Sequence, residues 1–138
     1  MSDPLPIRAA ARRAGAALLL PLLLGACAAE VAPVTAVTPE SFPESTELAI
    51  ACRHDEALAA LDRTEAARGG ATSASELHRV VLLRDAGRAL DAERVLRERN
   101  SRPDVSADDA VYSGNAVVEG LDSLRAARTA RTGRPHCG

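Results

Sequence analysis

Residues 45–138 predict an all-α domain of about five helices in antiparallel hairpins. Three observations carry that expectation. Apolar residues beyond Ser45 recur three and four positions apart, the period of one face of a helix. Two segments open with Ser and place an acidic residue three positions on, a helix-start signature. Finally, Ala57-Leu58-Ala59-Ala60-Leu61 and Ala92-Glu93-Arg94-Val95-Leu96 match at an offset of 35 residues, with Asp55-Glu56 and Asp91 preceding the respective Ala.

The N-terminal segment is read apart from this domain. Arg8, Arg12 and Arg13 form a positive region ahead of an apolar run from Ala14 to Leu24. A spanning helix needs roughly twenty apolar residues, so about eleven suit a signal peptide better than a permanent span. The run closes on Leu24-Gly25-Ala26-Cys27, which resembles the lipobox of bacterial lipoproteins. That resemblance implies cleavage before Cys27 and acylation of its thiol, giving a signal peptide over 1–26. An ordinary secretory signal cut near Ala26-Cys27-Ala28 is the alternative. Two or more acyl chains hold a protein firmly on a bilayer, at about 0.8 kcal/mol per buried methylene. Ala28 follows the Cys, where Asp would typically imply inner-membrane retention. The resemblance therefore implies the periplasmic leaflet of the outer membrane, or the outer face of the cell membrane in a Gram-positive source.

Residues 27–44 read as a lipidated Cys and a Pro-rich tether. Pro33, Pro39 and Pro43 favour extended chain and demote the alternating Val residues as a strand. Fully extended, eighteen such residues span about 55 Å. Helical pattern begins at Ser45 and runs to Ala67 through Leu48, Ile50, Ala57, Leu58 and Leu61, with Arg53-His54-Asp55 dividing it into two helices. Gly69-Gly70 stops the second. Ser73-Ala74-Ser75-Glu76 reads as a capping box opening a helix striped by Leu77, Val80, Val81 and Arg84. Gly87 interrupts, and Ala89, Ala92, Val95 and Leu96 stripe the next helix to about Arg99. Asn100 to Pro103 is loop chemistry. Ser106 with Asp109 caps a long last helix, with an expected stripe of Ala110, Gly114, Val117, Val118, Leu121 and Leu124 and terminators Gly133 and Pro135.

The repeated unit resembles tetratricopeptide repeats, helix–turn–helix units of 34 residues with small residues where paired helices cross. By that resemblance Ala57 and Ala92 are helix-crossing positions, and Leu61 and Leu96 lie one turn further on. Gly87 corresponds to the inter-helix turn, and Cys52 stands where the first copy would carry that Gly. The usual aromatic residues are absent. A generic Ala-rich pair of helical hairpins gives the same architecture.

With Cys27 lipidated, Cys52 and Cys137 remain, an even number in an exported chain. A disulfide is the favoured reading, over two unrelated thiols. Zinc held by Cys52-x-His54 and His136-Cys137 is a weaker alternative without finger spacing, so no metal or cofactor is expected. Beyond residue 26 the chain has 14 basic and 18 acidic side chains, and every basic one is Arg. A net acidic chain with 1% aromatic residues argues against nucleic-acid binding. His54, His78 and His136 are scattered, and no hydrolase motif or phosphate loop is present, so no enzyme activity is expected. Arg125, Arg128, Arg131 and Arg134 read as cations suited to a helix C-terminus, with an anion site as the alternative.

These features lead to the expectation of a small helical scaffold or accessory subunit of an envelope assembly, anchored by its lipid and binding a partner protein. A structural or stress-related lipoprotein without a specific partner, or a regulator of a periplasmic enzyme, is the alternative.

Overall fold

The computed structural model describes residues 41–138. The expected signal peptide, Cys27 and the tether up to residue 40 lie outside these residues. The described chain is all-α, with five helices and no strand: α1 Pro43–Ile50, α2 His54–Ala67, α3 Ser73–Asp85, α4 Ala89–Asn100 and α5 Ala107–Thr132. Pro43, expected in the tether, instead opens α1. Proline suits a first helical position because its missing N–H would find no intrahelical partner there.

The helices are assembled as two hairpins and a closing helix. α1 packs on α2 and α3 on α4, while α3 also contacts α2 and α5. α5 further reaches α1, so its far end folds back onto the first hairpin. Phe42, Ala49, Ile50, Ala57, Leu61, Leu77, Val80 to Leu83, Ala92, Val117 and Leu124 fill the core. Burying a Val or Leu side chain contributes roughly 1.5–3 kcal/mol, so this cluster carries most of the drive to fold.

The 35-residue offset is visible in the backbone. α1 ends with Arg53 N–H donating to the Leu48 carbonyl at 2.9 Å and Cys52 N–H to Ala49 at 2.9 Å. α3 ends identically, Arg88 to Leu83 at 2.8 Å and Gly87 to Arg84 at 3.1 Å. Both are Schellman terminations, which need one left-handed residue after the helix. Gly87 meets that demand at φ 74°, and Cys52 occupies the equivalent place at φ 61°. A left-handed conformation is strained for a residue with a Cβ, and Cys52 is held there by the hairpin and by its disulfide.

Two expectations shift in register. The N-cap of α3 is Thr72, whose hydroxyl accepts from Ser75 N–H at 3.1 Å while Ser75 Oγ accepts from Thr72 N–H at 2.9 Å. Ser73 and Glu76 do not form the box. Glu76 is instead gripped by both terminal nitrogens of Arg102, at 2.7 and 2.8 Å, a charge-assisted fork more favourable than reaching back to a backbone amide. The Ser106–Asp109 box forms as expected. The buried face of α5 also differs, comprising Ser113, Ala116, Val117, Gly120, Leu124 and Arg128. Val118, expected on the stripe, is exposed. The face is rotated because two polar residues on it find buried partners. Ser113 Oγ accepts from Arg99 at 2.6 Å, and Arg128 is described below.

Ala57 and Ala92 are both fully buried where α2 and α4 turn back on their hairpin partners, and Leu61 is buried beside them. Leu96 is only partly buried against the core. Ala92→Glu should therefore cost several kcal/mol, because it overpacks a closed site and desolvates a charge. Leu90→Glu, at a position 84% exposed, should change stability by less than about 0.5 kcal/mol. Chemical unfolding of the two variants checks this, and equal stabilities would show that the repeat places no small residue at a crossing.

Candidate functional site

The densest polar chemistry lies at one end of the bundle, where α1 and α3 terminate and α2 begins. Arg128 arrives from α5 with its side chain 1% exposed. Its guanidinium forks onto Asp85, with one N–H···O at 3.0 Å and a second, shorter contact through the other terminal nitrogen. The same group donates to the Ala49 carbonyl at 2.7 Å, to Ile50 at 3.4 Å and to Pro135 at 3.0 Å. One cation thus caps the end of α1, neutralises the last residue of α3 and fastens the C-terminal tail. Cations near helix C-termini also oppose the negative end of the macrodipole.

Asp85 has a second neighbour. His54, the first residue of α2, places Nε2 2.9 Å from Asp85 Oδ2. Burial pushes the Asp85 carboxyl up, but the Arg128 guanidinium and His54 outweigh it and hold the group below the usual carboxylate range. The disulfide completes the corner. Cys52 and Cys137 are bonded, with Cα atoms 5.6 Å apart across 85 residues of chain. Cys137 Sγ lies 3.8 Å from His54 Nε2. His54, Asp85 and Cys137 therefore present donor atoms within 4.8 Å of one another. His136, weighed as a ligand from the sequence, is not in this cluster; Asp85 stands there instead.

This corner has no catalytic geometry as it stands. One ring nitrogen of His54 faces both the carboxylate and the sulfur, so the ring cannot relay a proton between them. The sulfur is already bonded. Asp85 was not among the residues expected at a site, and Arg128 was expected only as a cation suited to a helix C-terminus. A signal for Arg128 was present, since Gly120, Leu124 and Arg128 continue one helical face at four-residue steps. Nothing in the spacing of Asp85 marked it. Of the other arginines of the C-terminal series, Arg131 is exposed and paired to Glu47 on α1, Arg134 is exposed, and Arg125 is half-buried.

A second feature is a cleft of about 420 Å³ between α2, α3 and the start of α4. Its apolar floor is Leu58, Leu83 and Val95, and its rim carries Asp55, Asp62 and Asp91 against Arg79, Arg88 and Arg94. Arg79 pairs with Asp62 at 2.7 Å and Glu65 at 2.5 Å, and Arg88 with Asp91 at 3.0 Å. Comparison with protein-family models, curated proteins and solved structures gave no match.

At the opposite end of α1, His78 stacks on Phe42 with centroids 4.9 Å apart, and its Nε2 lies 3.0 Å from Ser45 Oγ. Burial, and then the adjacent Arg79 charge, push His78 down to about 4. His78 is thus neutral when folded, while the unfolded chain gains a proton near 6.5. Stability should fall as pH drops from 6.5 to about 4, by on the order of 3 kcal/mol, and this contribution should level off below. His78→Gln should flatten the pH dependence in that window, measured by urea unfolding. An unchanged slope would show that another group is responsible.

Proposed function

We propose that the chain is a lipid-anchored envelope protein whose helical domain is a small scaffold, holding a partner protein without catalysing a reaction of its own. The cleft between the hairpins carries this reading. It combines an apolar floor with a rim of both charge signs, the composition that suits a peptide segment rather than a drug-sized ligand or a polyanion. The rim pairs of Asp91 with Arg88 and Arg94 are solvent-accessible, and such pairs are worth about 0–1 kcal/mol, so a partner's charges can replace them at little cost. Leu90, 84% exposed beside the cleft entrance, supplies an apolar contact that solvent disfavours. The paired-hairpin arrangement is compatible with a tetratricopeptide-like module, which binds extended segments across its helices.

Anchoring rests on the Leu24-Gly25-Ala26-Cys27 signature. A disulfide-linked corner fits an oxidising compartment such as the periplasm. The outer membrane's periplasmic leaflet is the proposed location.

In intact cells, the wild-type chain should take up labelled palmitate and remain with membranes, and Cys27→Ser should do neither. A photoreactive residue at position 58, on the cleft floor, should capture one stoichiometric protein from the wild-type chain. Capture of assorted abundant envelope proteins instead would favour a structural lipoprotein, and export without lipid labelling would remove the anchor.

A further inference from the structure

We propose that the chain has a second state, in which reduction of the Cys52–Cys137 disulfide opens a zinc site formed by Cys52, Cys137, His54 and Asp85. The corner exchanges a covalent S–S link for a divalent cation. The inference stands on the convergence of donors and does not depend on the scaffold reading.

The donor atoms are nearly in place. In a tetrahedral site with metal–sulfur near 2.3 Å and metal–nitrogen near 2.0 Å, neighbouring ligand atoms lie about 3.3–3.8 Å apart. His54 Nε2 already sits 3.8 Å from Cys137 Sγ and 2.9 Å from Asp85 Oδ2. Cys52 Sγ, now bonded to Cys137, needs to separate from it by less than about 2 Å to reach that spacing. Cys137 lies beyond α5 in a segment outside any helix, so no helical hydrogen bond opposes this movement. Cys52, on the turn after α1, and His54, the first residue of α2, are two residues apart, which keeps half the ligand set together.

Charge favours the same cation. With the disulfide formed, Asp85 is balanced by Arg128. Two thiolates would add two negative charges to this half-buried corner, and a divalent cation offsets them. Thiolate and imidazole ligands select zinc-like ions over calcium or magnesium. Arg128 would keep its hold on Asp85 Oδ1, orienting the carboxylate from behind as outer-shell donors do around metal ligands.

The switch is chemically closed. Cys52 is exposed, so a dithiol reductant can reach the bond. A thiolate of the reductant attacks one sulfur, a mixed disulfide forms, and its second thiol resolves it. Two electrons and two protons pass to Cys52 and Cys137, and the reductant leaves as its own disulfide. Metal binding then displaces the two thiol protons.

The test uses the full chain reduced anaerobically with a water-soluble phosphine, which becomes the phosphine oxide and offers no competing thiol. Cobalt(II) is titrated as the probe, followed by zinc. The reduced chain should bind one equivalent, showing thiolate charge-transfer and tetrahedral d–d absorption that zinc bleaches, and the oxidised chain should show neither. His54→Gln should weaken binding by more than the roughly 10–100-fold that losing an outer-shell partner costs. His136→Gln should leave it unchanged. The proposal falls if the reduced chain shows no tetrahedral absorption, whether or not it stays helical, because binding would itself re-form the site. It falls equally if the oxidised chain binds as well, if His54→Gln is silent, or if His136→Gln removes the signal.

Discussion

A guanidinium removed from water must find acceptors for its donors, and Arg128 finds them on three segments of the chain. Asp85 ends α3, Ala49 and Ile50 end α1, and Pro135 belongs to the tail. Val117 and Leu124 hold α5 to the hairpins through apolar contacts, and Arg128 adds directional hydrogen bonds that are satisfied in one register. The pair carries a liability as well. Desolvating two ions costs several kcal/mol each, and losing either partner leaves the other charge stranded. The arrangement specifies where α5 docks more than it adds net stability.

The disulfide acts on the same joint by a different route. Linking residues 85 apart restricts the unfolded chain and, in the chain-entropy account, contributes about 4 to 5 kcal/mol. Hydrogen bonds from Arg128 and the S–S link both tie the C-terminal tail to the end of α1. Between them sits His54, in reach of Asp85 and Cys137. Stability and the chemistry proposed for the reduced chain therefore converge on one corner, while the cleft lies across the hairpins between α2, α3 and α4.

Much of the helical architecture was legible because it is local. Three- and four-residue apolar spacing, Gly87 and the Ser106–Asp109 box each act within a few residues of sequence, and the 35-residue offset repeats them. The Cys52–Cys137 bond was legible by elimination. What escaped reading was long-range and polar. Thr72 and Ser75 capped α3 because Arg102, 26 residues on, claimed Glu76. The face of α5 was mis-set because Ser113 and Arg128 were counted as polar, and a polar residue is buried only when a distant partner awaits it. Asp85 had no local signature, since its partners lie 31 and 43 residues away.

The central claim is that Arg128 and Asp85 act as one unit that seats α5, and a double-mutant cycle in unfolding free energy tests it most directly. Arg128→Met and Asp85→Leu should each destabilise the chain by roughly 3–5 kcal/mol, because each strands a buried charge. The double variant should recover a large part of that loss, giving a coupling energy above about 2 kcal/mol. Additive losses, with the double variant as unstable as the two singles combined, would contradict the account.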